Sequence, residues 1–456
     1  MTDNPDVLIL GGGSGGYACA LRAAQLGMSV TLVEQDRVGG TCLHRGCIPT
    51  KALTHAAAVA DTVSNAAAIG IGATLGPIDL DAVHRYQSGV VDRLFQGLQG
   101  LIRSRNVEVV TGTGHYGGGT TVVVGDRSIT GAQLVLATGS RASIPPGLDI
   151  GGRILTSDEA LTSPALPGRA VILGGGVIGV EFASIWASLG AEVTIIEALP
   201  RLLSAEDDWT SRQLSRAFRK RGITIKTDTR FVTAVDDGTA VSVTVDSGET
   251  LQADLLLAAV GRRPRTDGIG LADGGVDIDE RGFIRVDDRL RTSVPDVYAV
   301  GDIVAGPQLA HRGFGHGVFV AETIAGRGPV ARDDLEIPRV AYCAPEVASV
   351  GLTESQARER HSSIETVVYD LAGNGKSQII GTGGGIKVIR VADGPVVGIH
   401  MVGERVGELI GEAQLIVSWA AHPQDVAGLI HAHPTQNEAM GEAHLALSGQ
   451  PLHTHN

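Results

Sequence analysis

One segment design occurs twice in this chain, and it constrains the fold more than any other feature. Residues 7–34 read VLILGGGSGGYACALRAAQLGMSVTLVE, and residues 171–197 read VILGGGVIGVEFASIWASLGAEVTIIE. Each opens with an apolar run of strand character and enters glycines in GxGxxG spacing: Gly11, Gly13 and Gly16, then Gly174, Gly176 and Gly179. A helical stretch follows, then a second strand closed by an acid, Glu34 or Glu197, 18 positions after the last glycine in both units. The first glycine permits a tight turn, the second lets a pyrophosphate approach the backbone, and the third lets the helix pack closely on the strand. The helix N-terminus then faces the phosphates, and the acid accepts hydrogen bonds from a ribose. A lone GxGxxG is weak evidence. The complete series, present twice, predicts two dinucleotide-binding folds in an α/β chain, one of them a candidate flavin site.

The rest of the chain fits that plan. LVLATGS (134–140) reads as an apolar strand ending in Gly139, DLLLAAVGRRP (254–264) as another ending in Gly261, and VPDVYAVGDIV (294–304) as a third presenting Asp302. A plain turn acid is the bland alternative for Asp302. Prolines near 145–146 and 329–338 mark candidate joints, and from about Ile337 short strands alternate with helical runs, which predicts a third, α+β domain. A length of 456 residues suits two to four domains. The formal charge of −13, with no basic stripe, argues against nucleic acid as a partner. The first residues, MTDNPD, lack a basic n-region and a long apolar h-region, and no apolar run reaches spanning length. A cytoplasmic protein, not bound to membrane, is expected.

Glu197 bears on nucleotide choice. A 2′-phosphate beside its carboxylate would be repelled by about 4 kcal/mol at intermediate dielectric. No arginine follows it directly, Arg201 coming only after Ala-Leu-Pro. NAD(H) is therefore favoured over NADP(H).

Half of the four cysteines lie in GGTCLHRGCIPTKAL, residues 39–53. In a reducing compartment, a disulfide between Cys42 and Cys47 would be catalytic rather than structural. A loop this short adds only about 2 kcal/mol in the chain-entropy model. Two small buried thiols at a helix start remain the bland alternative, and without a nearby histidine or second CxxC the pair makes a poor zinc site; no metal is expected. Near the other end, HAHPTQNE (431–438) offers His433 before a proline with Glu438 five residues on, a base with an orienting carboxylate. A structural histidine fits the pattern equally, and His431 is the alternative base. His444, His453 and His455 are expected on a loose, solvated tail.

Taken together, these stretches resemble the flavin-dependent pyridine-nucleotide disulfide oxidoreductases across essentially the whole chain, and most closely the members that oxidise dihydrolipoyl groups with NAD+. The likeness rests on the N-terminal fingerprint, GGTCLHRGCIPTKAL, LATGS, the second fingerprint, VGRRP, TSVPDVYAVGDIV, PEVASVGLTE and HAHPTQNEA. It implies two Rossmann-like domains, for FAD (residues 1–145 and 267–330) and for NAD (146–266), and a C-terminal dimerisation domain (335–456). Cys42 becomes the outer, interchange thiol, and Cys47 the inner thiol beside the flavin. Lys51 lies near the flavin and is paired with Glu181. His433, held by Glu438, becomes the base that faces the cysteines of the other subunit. Carried over to FAD are Gly11, Gly13, Gly16, Glu34, Lys51, Gly114, Thr138, Gly139, Ser140 and Asp302, with Gln308, Leu309, Ala310 and His311. Carried over to NAD are Gly174, Gly176, Gly179, Glu181, Glu197 and Gly261. The implied partners are a second copy of the chain and a lipoylated acyltransferase or glycine-cleavage carrier protein.

One position departs from the pattern. Relatives carry an acid two residues before an apolar helix after the LAH segment, where this chain reads LAHRGFGHGV with His316. Competing readings are few. Glutathione-type reductases would use NADPH and show arginines after the second unit. Mercuric reductases would add a C-terminal cysteine pair, and soluble transhydrogenases lack the cysteine pair. A purely docking subunit is the reading from another class.

Overall fold

The computed structural model describes residues 4–453. The opening of the N-terminal reading (residues 1–3) and His455 lie outside that range.

Val7–Leu10 and Arg169–Leu173 are continuous apolar runs with all but Arg169 buried. Strands buried on both faces belong inside parallel sheets covered by helices, and both runs sit centrally in one. Val7–Leu10 pairs in parallel with Val30–Glu34 and Gln133–Leu136. Glu108–Thr111 and Val297–Ala299 form the edges of that five-stranded sheet. Arg169–Leu173 pairs in parallel with Glu192–Ile196 and Leu255–Ala258, flanked by Thr224–Lys226 and Ile154–Thr156. Each parallel sheet is accompanied by a three-stranded antiparallel sheet, Gly114–Thr130 in the first unit and Phe231–Ala253 in the second. The third body is an antiparallel five-stranded sheet in the order Arg339–Ala341, Glu346–Gly351, Val396–Gly403, Gly385–Val391, Ile364–Asp370. The helices Val406–Ser418 and Glu438–Leu447 contribute to its core.

The two glycine turns match closely. Gly11 and Gly174 hold φ of +106° and +104°, a region that only glycine enters without strain. A Cβ on Gly16 would strike the Gly11 carbonyl oxygen, and one on Gly179 the Gly174 carbonyl oxygen. Helix and strand therefore touch through bare backbone in both units.

Several expectations need correction. The strands read at 134–140 and 254–264 stop at Leu136 and Ala258. Beyond them the backbone makes room for the glycine turns, and Ser140–Ala142 pairs with Arg262–Pro264 in a separate two-stranded ribbon. His316 does not precede a helix; it lies within one, Ala310–Ile324. Three glycines in five residues (313–317) disguise this helix in the sequence, and the reason for two of them is tertiary. A Cβ on Gly313 would meet Ser14 and Gly15, and one on Gly317 would meet Gly15 and Cys19, so this helix crosses Ser14–Gln25 at backbone contact. His444 is no tail residue: it is buried in the Glu438–Leu447 helix with Nδ1 2.7 Å from Met440 O. His453 is tied to Glu442 through its backbone N–H (3.0 Å) and its ring (2.8 Å).

The close approach predicts a contrast within one turn. Gly179→Val should lower the unfolding free energy by about 1–3 kcal/mol through overpacking. Gly176→Ala should leave it nearly unchanged, because a Cβ there meets no atom within 4 Å. Denaturant unfolding of both variants checks this, and equal effects would refute the backbone-contact account.

Candidate active site

The cysteine segment is laid directly on the first glycine turn. Gly39 N–H donates to Gly12 O at 2.8 Å, and a Cβ on Gly40 would come within 2.6 Å of Gly13 Cα. Gly39 and Gly40 both have positive φ, +116° and +60°, which the tight entry requires. Cys42 then lies in the short helix Gly40–Arg45 and Cys47 opens the helix Cys47–Asn65. The two are disulfide-bonded across a Cα separation of 4.6 Å. The other cysteines, Cys19 and Cys343, are buried and free; burial pushes the Cys19 thiol up to about 12 and raises that of Cys343 as well. Only the Cys42–Cys47 pair is placed for thiol exchange.

Lys51 stands one helical turn after Cys47, on the same helix face. Its Nζ donates to both carboxylate oxygens of Glu181, each at 2.8 Å, and lies 4.6 Å from the centre of the Tyr342 ring. Glu181 belongs to the helix Val177–Ser188 of the second unit and is buried. It also accepts the Tyr342 N–H at 2.9 Å. Three hydrogen bonds from two donor groups compensate this buried carboxylate for its loss of water.

A continuous cleft of about 2210 Å³ joins these parts, larger than the ~300–1,000 Å³ common for one small ligand. Its wall includes Gly13 and Gly176, both cysteines, and the Lys51–Glu181 pair. Further along lie Gly139, Ser140, Gly174, Glu197, Gly261, Asp302 and Gln308 to His311. Gly13 and Gly176 cap the N-termini of their helices, and a Cβ on either meets no atom within 4 Å. Each turn thus presents a helix N-terminus to open space, which suits the pyrophosphate of a dinucleotide. The acids repeat the same arrangement: Glu34 accepts Gly12 N–H (2.7 Å) and Asp36 N–H (2.9 Å), and Glu197 accepts Gly175 N–H (2.6 Å) and Leu199 N–H (2.8 Å). The residues fit two dinucleotides.

Gly11, Gly16, Gly179, Glu34, Thr138 and Gly114 lie outside the cleft wall. The first three shape the turns from behind. Thr138 donates to Arg265 O at 2.6 Å. Gly114 packs in the small antiparallel sheet, where a Cβ would meet Leu10, Val33 and Val122. Asp302 accepts the Ser140 hydroxyl at 2.5 Å, and Arg262 donates to the same hydroxyl at 2.8 Å. Sequence reasoning did not single out Arg262 or Tyr342. VGRRP carried a signal for the first; no local pattern marks the second.

His433 and Glu438 are not in this cleft. His433 Nδ1 lies 2.8 Å from Glu438 Oε1, with the imidazole 80% exposed. Burial alone would raise the Glu438 carboxyl, but the Thr435 N–H and His433 hold it below its ordinary range. His431 differs: its Nε2 is 2.9 Å from Glu412, which also accepts from Asn437 Nδ2 at 2.6 Å, and its side chain is 12% exposed. His431 braces the segment, and His433 presents a free ring edge to the surface.

The pyridine nucleotide-disulphide oxidoreductase family model matches residues 5–317, and the dimerisation-domain model of the same family matches residues 337–444. The chain belongs to this family. A dihydrolipoyl dehydrogenase from Thermus scotoductus is 38% identical over 99% of this chain and 99% of its own length. One from Bacillus subtilis is 37% identical over 99% of this chain and 100% of its own. Among solved structures, LpdA from Mycobacterium tuberculosis superposes with a TM-score of 0.90 at 24% identity, over 97% of this chain and 99% of that one, a likeness of fold. The HOCl-induced flavoprotein disulfide reductase RclA from Escherichia coli superposes at 0.87 with 27% identity, over 96% and 99%.

Against that family background, His316 has a defined setting here. Its Nδ1 accepts Gly301 N–H at 3.3 Å, beside Asp302. Burial pulls its imidazole down to about 4, and the Arg312 guanidinium acts in the same direction while Asp334 opposes. Burial also lowers His400 and His444. An unfolded histidine titrates near 6.5 and binds more protons than these do. Their contribution to stability is therefore complete above about pH 6.5 and is lost as pH falls toward 4, by about 3 kcal/mol for His316. The Tm should drop over that interval, and His316→Asn should flatten part of the slope. A variant with the parent's slope would show that His316 is not held neutral.

Proposed function

We propose that the chain is a flavoenzyme that oxidises dihydrolipoyl groups to lipoyl groups with NAD+ as acceptor, using FAD and the Cys42–Cys47 disulfide. The observation that carries this reading is a disulfide seated on one dinucleotide turn, one helical turn from a lysine that is paired with the helix of the other. The full-length likeness to dihydrolipoyl dehydrogenases supports the substrate class. We assign residues 1–145 with 267–330 to FAD, 146–266 to NAD, and 335–456 to the dimer interface, and we place the enzyme in the cytoplasm.

FAD is assigned to the turn around Gly13 with Lys51, Ser140, Asp302 and the Gln308–His311 segment, and NAD to the turn around Gly176 with Glu197. No helix among the described residues is long and apolar enough to cross a membrane. The Glu197 carboxylate, held by the Gly175 and Leu199 N–H groups, is assigned to the ribose hydroxyls, where its charge opposes a 2′-phosphate and favours NAD+.

His433 accepts a proton from the substrate dithiol, and Glu438 fixes the imidazole tautomer and stabilises the cation formed. The substrate thiolate attacks Cys42 Sγ; the Cys42–Cys47 bond breaks, a mixed disulfide forms, and Cys47 leaves as thiolate. The second substrate thiol passes its proton to the departing Cys42 sulfur as its own sulfur displaces Cys42 and closes the lipoyl ring, so two electrons now reside on the protein sulfurs. The Lys51 ammonium, one turn along from Cys47, favours its thiolate. Bound FAD supplies the relay that delivers this electron pair as hydride to NAD+. Because His433 is exposed and absent from the cleft of its own chain, the base is assigned to the cysteines of a partner subunit. The homodimer is then the catalytic unit, and a lipoylated acyltransferase or glycine-cleavage carrier protein is its substrate-bearing partner.

Cys42→Ser or Cys47→Ser should abolish dihydrolipoamide-dependent NADH release while leaving yellow, FAD-loaded protein. Retained turnover in either variant overturns the exchange mechanism. His433→Gln should depress the dithiol half-reaction far more than NADH-driven reduction of a small artificial acceptor, by roughly 10²-fold or more for loss of a general base. Stopped-flow comparison of the two half-reactions decides it; equal losses in both exclude His433 as the base.

A further inference from the structure

The two nucleotide units diverge just after their acids. In the first, Gly39 N–H closes on Gly12 O and the chain enters the disulfide helix. In the second, Leu203 N–H closes on Gly175 O at 2.9 Å, and the chain passes through Glu206 and Asp207 into the helix Asp208–Lys220. This second loop is pressed hard onto its turn. Leu203 holds φ of +47°, a left-handed conformation that a non-glycine residue adopts only when its surroundings impose it. Leu202 is fully buried, and a Cβ on Gly175 would strike its side chain. Leu199 and Ser204 of the same loop line the cleft beside Glu197.

The loop is held from the far side by the third sheet. Glu206 accepts from Arg339 Nε at 2.9 Å and from the Ser349 hydroxyl. Asp207 caps its helix by accepting Trp209 N–H (2.9 Å), and it also accepts Lys387 Nζ (2.8 Å) and Glu354 N–H (2.8 Å). Lys387 is further paired with Glu354 at 2.7 Å. Ser349, His400 and Lys387 are register neighbours across three adjacent strands. Ser349 and His400 are fully buried, Lys387 is 4% exposed, and Asp207 is 2% exposed. His400 donates through Nε2 to Leu352 O at 2.8 Å, and its Nδ1 has no partner.

A polar row through the middle of a buried sheet face, matched by two acids from another unit, is a weak net stabiliser, since desolvation offsets most of the attraction. It is a strong register device. Apolar burial is non-directional; a dry ammonium–carboxylate contact that also holds backbone N–H groups is directional and geometrically specific.

We propose that Glu206 and Asp207, gripped by Arg339, Ser349 and Lys387 of the interface sheet, are positioning residues for the pyridine nucleotide. They set the loop that closes over the second glycine turn, so the dimerisation unit controls the shape of the NAD+ site. This rests on the assignment of that turn to NAD+.

The test uses FAD-loaded enzyme carrying Lys387→Met, and the double substitution Asp207→Asn with Lys387→Met. The double variant leaves no buried charge uncompensated by its lost partner and keeps a capping side chain, so it decides the matter if the single variant does not fold. NAD+ binding to the oxidised enzyme, measured by calorimetry, should weaken about tenfold, with KM for NAD+ rising in parallel and kcat within about twofold. FAD content and the rate of disulfide reduction by dihydrolipoamide should match the parent. Parental NAD+ affinity in the double variant overturns the proposal, even if its Tm falls, because the cluster would then be structural only. Absence of saturable NAD+ binding in the parent enzyme is read first and separately: it overturns the nucleotide assignment beneath.

Discussion

The contact between Lys51 and Glu181 is where the two halves of this molecule become one site. The lysine rides on the helix that begins at Cys47, and the glutamate on the helix that begins at the second glycine turn. The second of these helices is fixed by backbone contact with its own strand through Gly179, and the segment that leads into the first is laid on the other turn through Gly39 and Gly40. Their ion pair, with both carboxylate oxygens engaged, therefore sets the relation between disulfide and second turn rather than merely decorating it. With the Lys51 side chain a third exposed, the pair adds little net stability, but removal of the lysine would leave the buried Glu181 carboxylate without its cation. Its value lies in geometry. On the proposed assignment, electrons enter at sulfur and leave at a nicotinamide held by the second turn, and this pair fixes the spacing between the two.

The legible parts of the fold and site were those written locally. A GxGxxG turn requires positive φ and missing Cβ atoms at set spacings, so Gly11, Gly16, Gly174 and Gly179 announce themselves without any tertiary knowledge. The cysteine pair is equally local, with its separation and flanking glycines all in 15 residues of sequence. What stayed hidden depended on partners distant in the chain. The Ala310–Ile324 helix is rich in glycine because it crosses another helix at backbone distance, and such a segment reads as loop until its neighbour is known. His444 looked like tail because its burial comes from the packing of its whole helix against the third sheet. Tyr342 donates its N–H to a residue 161 positions away, a relation no short pattern encodes. The joint between Glu206–Asp207 and Lys387 spans 180 positions and was equally silent.

The repeated turn explains why these two kinds of information divide as they do. Both units had to keep the turn, because pyrophosphate recognition depends on backbone geometry that tolerates little change. Hence φ of +106° and +104° at the first glycines, and acids that accept the same pair of backbone N–H groups. The segment after the acid was under no such constraint. It closes over the turn in both units, but in one it carries the redox-active sulfurs and in the other a pair of carboxylates anchored in the interface sheet. The first unit thereby gained chemistry at its turn. The second gained a tether to the body that joins subunits. On the proposed reading, with the exposed His433 on that same body, both the base and the shape of the nucleotide site depend on the dimer, while the sulfur–flavin–nicotinamide path lies within one chain.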